Sequence, residues 1–292
     1  MLYLRDLFKF KIMDPVLKGA KEISRIIQKA LDTEDGALIG RNGTIELEQM
    51  ISFNQYKMSV LEMNAGIFPH VIVPEWRSKS IDATAEADVL AAGWFEPLKE
   101  IEQVALKEWE CKAIQIPLRS LEPYYVPSED RWTRLLKGQT VSVVSCFTQT
   151  MKGQLVTLDK LFPSEVFPSD VRWNWVQTGH PPRIAQGFNE WPSHIKSSLD
   201  AVDWIVSEVV RQGSRFALIG CGGIGMLVAL KLKERGVIAI VLGGAIQVLF
   251  GIKGRRWENH SVISQFWNEH WVSPSEAETP TGSSGIEGGC YW

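Results

Sequence analysis

Three places in this 292-residue chain put anion-handling residue types directly after an apolar run that reads as a strand. The first is "LIGRNGTIELE", where Gly40, Arg41, Asn42, Gly43 and Thr44 lie between a strand and a helix, with Glu46 in the first helical turn. Backbone N–H groups at a helix start favour an anion, and the Arg41 fork suits phosphate. The competing reading is a plain turn, with Thr44 as N-cap and Glu46 complementing the helix dipole.

The second place is "FALIGCGGIG", in which Gly220, Gly222 and Gly223 lead into a helix. The Gly220-x-Gly222-x-x-Gly225 spacing is that of a dinucleotide fingerprint, which also needs an acid about 20 residues on, at the end of the next strand. That next strand, "VIAIVLGGA", ends on Gly243 and Gly244 and offers no carboxylate. Too little chain follows Gly220 to complete a six-stranded dinucleotide domain. The glycines are therefore read as a phosphate approach or as close strand–helix packing, and NAD is not expected.

The third place is "LGGAIQVLFGIKGRRWENH". Gly243 and Gly244 end a strand, and Lys253, Arg255, Arg256 and Trp257 follow a short helix. Cations beside an aromatic suit a diphosphate attached to a ring. The alternatives are a solvated basic loop, or a strip that pins the C-terminal "GGCYW".

These residues need a scaffold. Asp14-Pro15 opens a helix with apolar residues on one face. "ALIG", "KAIQIPL", "VSVVSCF", "DVRWNWVQT", "RFALIG" and "VIAIVLG" read as strands, and "IELEQMISFNQY" and "SSLDAVDWIVSEVVRQG" as helices. Residues 81–110 read as helical, broken at Pro97. Strands alternating with helices predict an α/β fold with a mainly parallel, Rossmann-like sheet covered on both faces. The expectation is a single domain over 1–292, with a tail from about 273 that docks through its terminal aromatics.

Composition narrows the classes. Hydrophobic content of 45% and charged content of 22% are those of a globular chain, and a net charge of −3 gives no field for nucleic acid. Four scattered cysteines and five histidines show neither disulfide nor zinc spacing. "GVIAIVLGGAIQVLFGI" is uncharged, but its glycines and Gln247 favour strand, turn and helix over a membrane span. The charged, apolar N-terminus allows a membrane-surface helix, with packing against the body as the alternative. A cytoplasmic protein is expected, peripheral at most at the inner membrane surface.

"LIGRNGTIELE", "NAGIFP", "LEPYY", "IGCGGIG", "LGGAIQVLFGIKGRRW" and "NEHWVSPSEAETPTGSSGIEGGCYW" together resemble a group of bacterial proteins found among polysaccharide-synthesis functions. That group is similar to the GT-D-fold glycosyltransferases, and the resemblance spans nearly the whole chain. It implies transfer of a sugar from a nucleotide-sugar donor to a glycan or lipid-linked acceptor. In GT-D enzymes a strand-end R-x-G-D-G-E gives an Asp-x-Glu pair to a divalent metal that holds the diphosphate. Arg41, Gly43 and Glu46 match this motif, while Thr44 and Ile45 replace its aspartate and second glycine. One hard oxygen ligand for Mn²⁺ or Mg²⁺ is thereby lost. Either another carboxylate completes the metal site around Glu46, or Arg41, Lys253 and Arg255 take its place. Glu46 is the expected reacting or coordinating carboxylate. Asp88 is a second, with capping or solvation in a helical stretch as its alternative role. Two other readings stand beside this one: a non-catalytic nucleotide- or sugar-nucleotide-binding protein of glycan assembly, and a dinucleotide-dependent oxidoreductase.

Overall fold

The computed structural model describes residues 14–187 and 189–292. The N-terminal stretch considered as a membrane-surface helix lies, through residue 13, outside the described residues. Seven strands form one all-parallel sheet in the order β3-β2-β1-β7-β6-β4-β5. They are β1 (Ala37–Arg41), β2 (Val89–Ala91), β3 (Ile114–Ile116), β4 (Thr140–Ser145), β5 (Arg172–Gln177), β6 (Phe216–Gly220) and β7 (Ile238–Val241). The helices through the first half are α1 (Asp14–Thr33), α2 (Thr44–Ile51), α3 (Met58–Ala65), α4 (Val73–Ala85), α5 (Lys99–Glu108) and α6 (Thr148–Gln154). Then come α7 (Pro182–Ala185), α8 (Ser198–Arg211), α9 (Gly225–Lys233), α10 (Ala245–Leu249) and α11 (Arg255–Glu258).

Strand side chains alternate between two cores. Ile39, Val141, Val143, Phe216, Leu218, Ile238 and Ile240 pack on one face with Ile23 and Ile27 of α1, Met151 of α6 and Leu249 of α10. Leu38, Val144, Ala217, Ile219 and Ala239 pack on the other with α4, α8 and α9, through Trp76, Ile205 and Val228. Both cores are fully buried at these positions, which explains why the strands read as near-continuous apolar runs rather than alternating ones.

Two expectations change. The stretch from 81 to 110 is not one helical region: α4 stops at Ala85, and Val89–Ala91 is a strand, so short that it shows no period of its own. It is recruited by pairing with both β1 and β3. Gly43, not Thr44, is the N-cap of α2, without a side-chain cap, and α2 ends at Ile51. The uncharged 236–252 segment is strand, turn and short helix, and no described helix is long and apolar enough to cross a membrane.

Adjacent strands β1 and β7 send their connections to opposite faces. After β1 the chain enters α2, whose Met50 joins the second core; after β7 it enters α10, whose Ile246 and Leu249 join the first. Such a reversal opens a crevice beyond the carboxyl ends of a parallel sheet.

Candidate functional site

That crevice is present, with a volume of about 380 Å³. Its walls come from the ends of every strand but β3, and it is roofed by Ile286, Glu287, Tyr291 and Trp292 of the tail. Four strand spacings separate β1 from β5, so the crevice can take a ligand roughly 19 Å long.

Its charged centre lies at β1 and β7. Arg41, the last residue of β1, crosses to β7 and packs against Gly243, whose φ of 58° favours glycine. Arg41 also lies over the Trp94 ring, 5.2 Å from its centroid. Glu46 folds back from the first turn of α2 so that its carboxylate fills the space a side chain at Gly43 would take. Burial pushes the Glu46 pKa up, while a backbone hydrogen bond and the Arg41 and Arg256 charges pull it down; burial wins. Arg256, from α11, pairs with Glu287 and lies over the Tyr291 ring at 4.6 Å. Tyr291 is held up in pKa by burial, and Arg256, Arg41 and Glu46 are among the charges acting on it.

The two flanks are uncharged. On one side Trp94 and Phe95 follow β2. On the other, Cys146 and Phe147 follow β4, and Thr178, Gly179 and His180 follow β5, with Trp191 beyond. Trp292 stands edge-on to Phe147 at 5.7 Å and lies 6.1 Å from His180. Burial lowers the His180 pKa to about 4, so its imidazole is neutral at physiological pH. His180 Nε2, Trp191 Nε1 and Gln247 Oε1 are sealed from solvent without a hydrogen-bond partner, all on residues of this one crevice. A buried polar atom left unpaired costs about 1–3 kcal/mol, so three around one cavity mark hydrogen-bonding capacity that the folded chain does not use.

Of the residues singled out from sequence, Arg41, Gly43, Thr44, Glu46, Gly220, Gly222, Gly243, Gly244 and Arg256 line the crevice. The others lie elsewhere. Gly40 packs against Met226 and Val241. Asn42 is buried behind the β1 end and donates to Thr84 Oγ1 at 3.1 Å. Gly223 packs closely against Ala65 and Ile67, and its carbonyl accepts from Trp76 Nε1 at 2.8 Å.

Asp88 precedes β2 and so lies at the opposite, amino end of the sheet. It accepts from the Leu38 N–H at 2.8 Å and pairs with Lys233 at 3.0 Å, which spends its charge on the scaffold. The basic strip divides. Arg255 donates to the Gly288 carbonyl at 2.9 Å and the Gly289 carbonyl at 3.1 Å, so it pins the tail. Lys253 rests over the Trp267 ring at 5.6 Å, and Trp257 is buried edge-on to Tyr291 at 6.3 Å. Arg256 alone of the strip reaches the crevice.

His180, Trp191 and the tail aromatics were not among the expected site residues. His180 had a usable signal, since it comes three residues after the end of β5, and the strand-end reasoning stopped at β1, β6 and β7.

The donor set does not suit a hard divalent cation. Thr44 presents no carboxylate, and the carboxylate of Glu46 is acted on by two guanidiniums. Among the described residues no group of three or more His, Cys, Asp or Glu is placed to hold a metal. All four cysteines are free.

No protein-family model and no curated protein matches this chain. Two solved structures are similar to it, each covering 90% of this chain and 96% of their own at 14% sequence identity. One is described as the highly conserved domain of unknown function 1792, with a distinct glycosyltransferase fold, at a TM-score of 0.45. The other is the selenomethionine-substituted form of that domain, at 0.44.

Proposed function

We propose that this protein is a glycosyltransferase that takes a sugar from a nucleotide-sugar donor to a hydroxyl of a glycan or lipid-linked acceptor. One observation carries the reading: along the sheet edge, the crevice runs aromatic, cationic, aromatic. Trp94 and Phe95 stand on one side of Arg41 and Arg256, and Phe147, Trp191 and Trp292 on the other. A nucleotide sugar has the same order of parts, with a ring at each end and a diphosphate between. Its length also suits the crevice.

In this reading Arg41 and Arg256 take the diphosphate, aided by the N-terminal N–H groups of α2. As the bond between the sugar's anomeric carbon and the diphosphate oxygen breaks, the leaving group keeps the electron pair. The two guanidiniums neutralise its growing charge. The acceptor oxygen forms the new bond to the anomeric carbon, and its proton passes to the Glu46 carboxylate. No step runs through a metal, because the donor set does not suit one. The glycine loop after β6 is a wall of the crevice rather than a dinucleotide site.

The test is calorimetric titration of a nucleotide-sugar panel, with and without Mn²⁺, followed by assay of nucleoside diphosphate release. Micromolar binding of at least one nucleotide sugar, little changed by EDTA, is expected. NAD(H) should bind no better than other adenine nucleotides. Selective NAD binding, or binding that disappears with EDTA and returns with Mn²⁺, would refute the corresponding part. Binding without turnover would favour a non-catalytic role.

A further inference from the structure

The tail does more than roof the crevice: it places a carboxylate on the crevice's own cation. Glu287 pairs with Arg256, and both residues line the cavity. The backbone there is unusual. Glu287 has φ 46°, followed by Gly288 at 67° and Gly289 at 73°. Three successive left-handed residues make a tight reversal, and the first carries a side chain, which strains its backbone there.

The rest of the tail does not depend on that ion pair. The fully buried Glu278 carboxylate accepts from Gln149 N at 2.6 Å, Thr150 N at 3.0 Å and Ser275 Oγ at 2.9 Å. Trp292 Nε1 donates to the Glu278 carbonyl at 3.1 Å, and Arg255 holds the 288 and 289 carbonyls. Glu287 itself has one other tie to the body, its N–H to Asn64 Oδ1 at 2.9 Å, and a long Cys290 Sγ contact at 3.7 Å. The tail is thus anchored on both sides of Glu287, whose strained turn is held to the body by Asn64 and Arg255 and whose side chain occupies the anion site.

We infer that Glu287 is a resident stand-in for the ligand's anionic group: it occupies Arg256 in the free protein, and an entering phosphate displaces it and loosens the 286–289 turn. The inference rests on the reading of the crevice as a phosphate site. A phosphate and a carboxylate on one guanidinium in a partly buried crevice repel each other, so one must leave. The carboxylate on the strained turn is the one whose departure relieves strain. The contact is therefore autoinhibitory, and it favours ligands with more charge than a single carboxylate.

The experiment titrates inorganic pyrophosphate into wild type, Glu287→Gln and Glu276→Gln, and follows amide hydrogen exchange of the peptide covering 282–292. Glu276 is an exposed acid on the same tail, outside the crevice, and controls for the loss of one negative charge. Removal of the competitor in Glu287→Gln should tighten pyrophosphate binding roughly two- to fivefold, the range for a partly exposed ion pair, while Glu276→Gln binds as wild type does. Saturating pyrophosphate should speed exchange of the wild-type peptide toward the rate of free Glu287→Gln. Equal or weaker binding by Glu287→Gln, an equal gain in Glu276→Gln, or slower wild-type exchange with ligand would overturn the inference while leaving the phosphate site in place. No binding by any variant would overturn both. The wild-type exchange measurement decides the matter alone should Glu287→Gln not fold.

Discussion

The two ends of the sheet use charge in opposite ways. At the amino end, Arg215 donates to the carbonyls of Ala30 at 2.6 Å and Asp35 at 2.8 Å, and Asp88 is shared between Lys233 and the Leu38 N–H. Every one of these groups has a partner that closes the fold. At the carboxyl end, Glu46, Arg41 and Arg256 face a cavity, and three polar atoms around it have no partner. The parallel sheet explains the asymmetry. Around β1, β2, β6 and β7 its amino ends are closed by these contacts, while the reversal between β1 and β7 leaves the carboxyl ends open. Equal residue types therefore carry different weight according to which end receives them.

The largest expected effect comes from exchanging the two carboxylates for amides. Glu46→Gln should lower the turnover rate about 10²- to 10⁴-fold, the range for loss of a positioned base. Because burial raises the Glu46 pKa, its protonated form is favoured in the folded state. The stability this group contributes is full below the ordinary value of 4.5 and is lost as pH rises through the raised one. Glu46→Gln should therefore melt no lower than wild type at pH 7, and the acid limb of the wild-type rate profile, placed above 4.5, should disappear. Asp88→Asn should do the reverse, lowering the melting temperature and sparing the rate. If Asp88→Asn abolished turnover in a folded protein, the division between the two ends would fail.

Neighbouring arginines sharpen the comparison within the crevice. Arg256→Ala should raise the Kd for a nucleoside diphosphate roughly tenfold to a hundredfold, as expected for loss of about 1.5–3 kcal/mol from a charged hydrogen bond. Arg255→Ala should leave that Kd unchanged and lower the melting temperature, because its partners are tail carbonyls. Calorimetry and melting curves of the two variants, side by side, read both. The opposite pattern would move the diphosphate away from α11.

The smallest effect concerns the uncharged flank. His180 has its pKa depressed to about 4 by burial, below the 6.5 of a free histidine. The stability it contributes is present above 6.5 and is lost as pH falls through the window toward 4, reaching about 2 kcal/mol at pH 5. His180→Asn should flatten that limb of a stability-against-pH curve. An unchanged limb would mean that His180 is solvated, and the flank more open than described.

Much of this was legible in the residues. The alternation of apolar runs and helical periods specifies the parallel sheet, since strands buried on both faces must be apolar throughout. Strand ends followed by glycine or arginine identify the edge where Arg41, Gly43, Glu46, Gly220 and Gly243 meet. β2 was hidden because three residues have no period, and their extended state comes from pairing with β1 and β3. The site's flank was hidden because Phe147, His180, Trp191 and Trp292 are distant in sequence and ordinary in type.

The sequence by itself determined that this chain builds a parallel α/β sheet with an anion-friendly carboxyl edge, because burial on two faces and strand-to-helix turns are local in origin. Only the tertiary structure decided which charges face that edge. Arg255 and Arg256 are adjacent on one helical turn, where successive side chains point about 100° apart. No spacing in the sequence says which of the two meets the tail and which the cavity. Their directions follow from where α11 is seated, through its Trp257, against Tyr291 and the 287–289 turn, a contact between parts of the chain that local pattern does not connect.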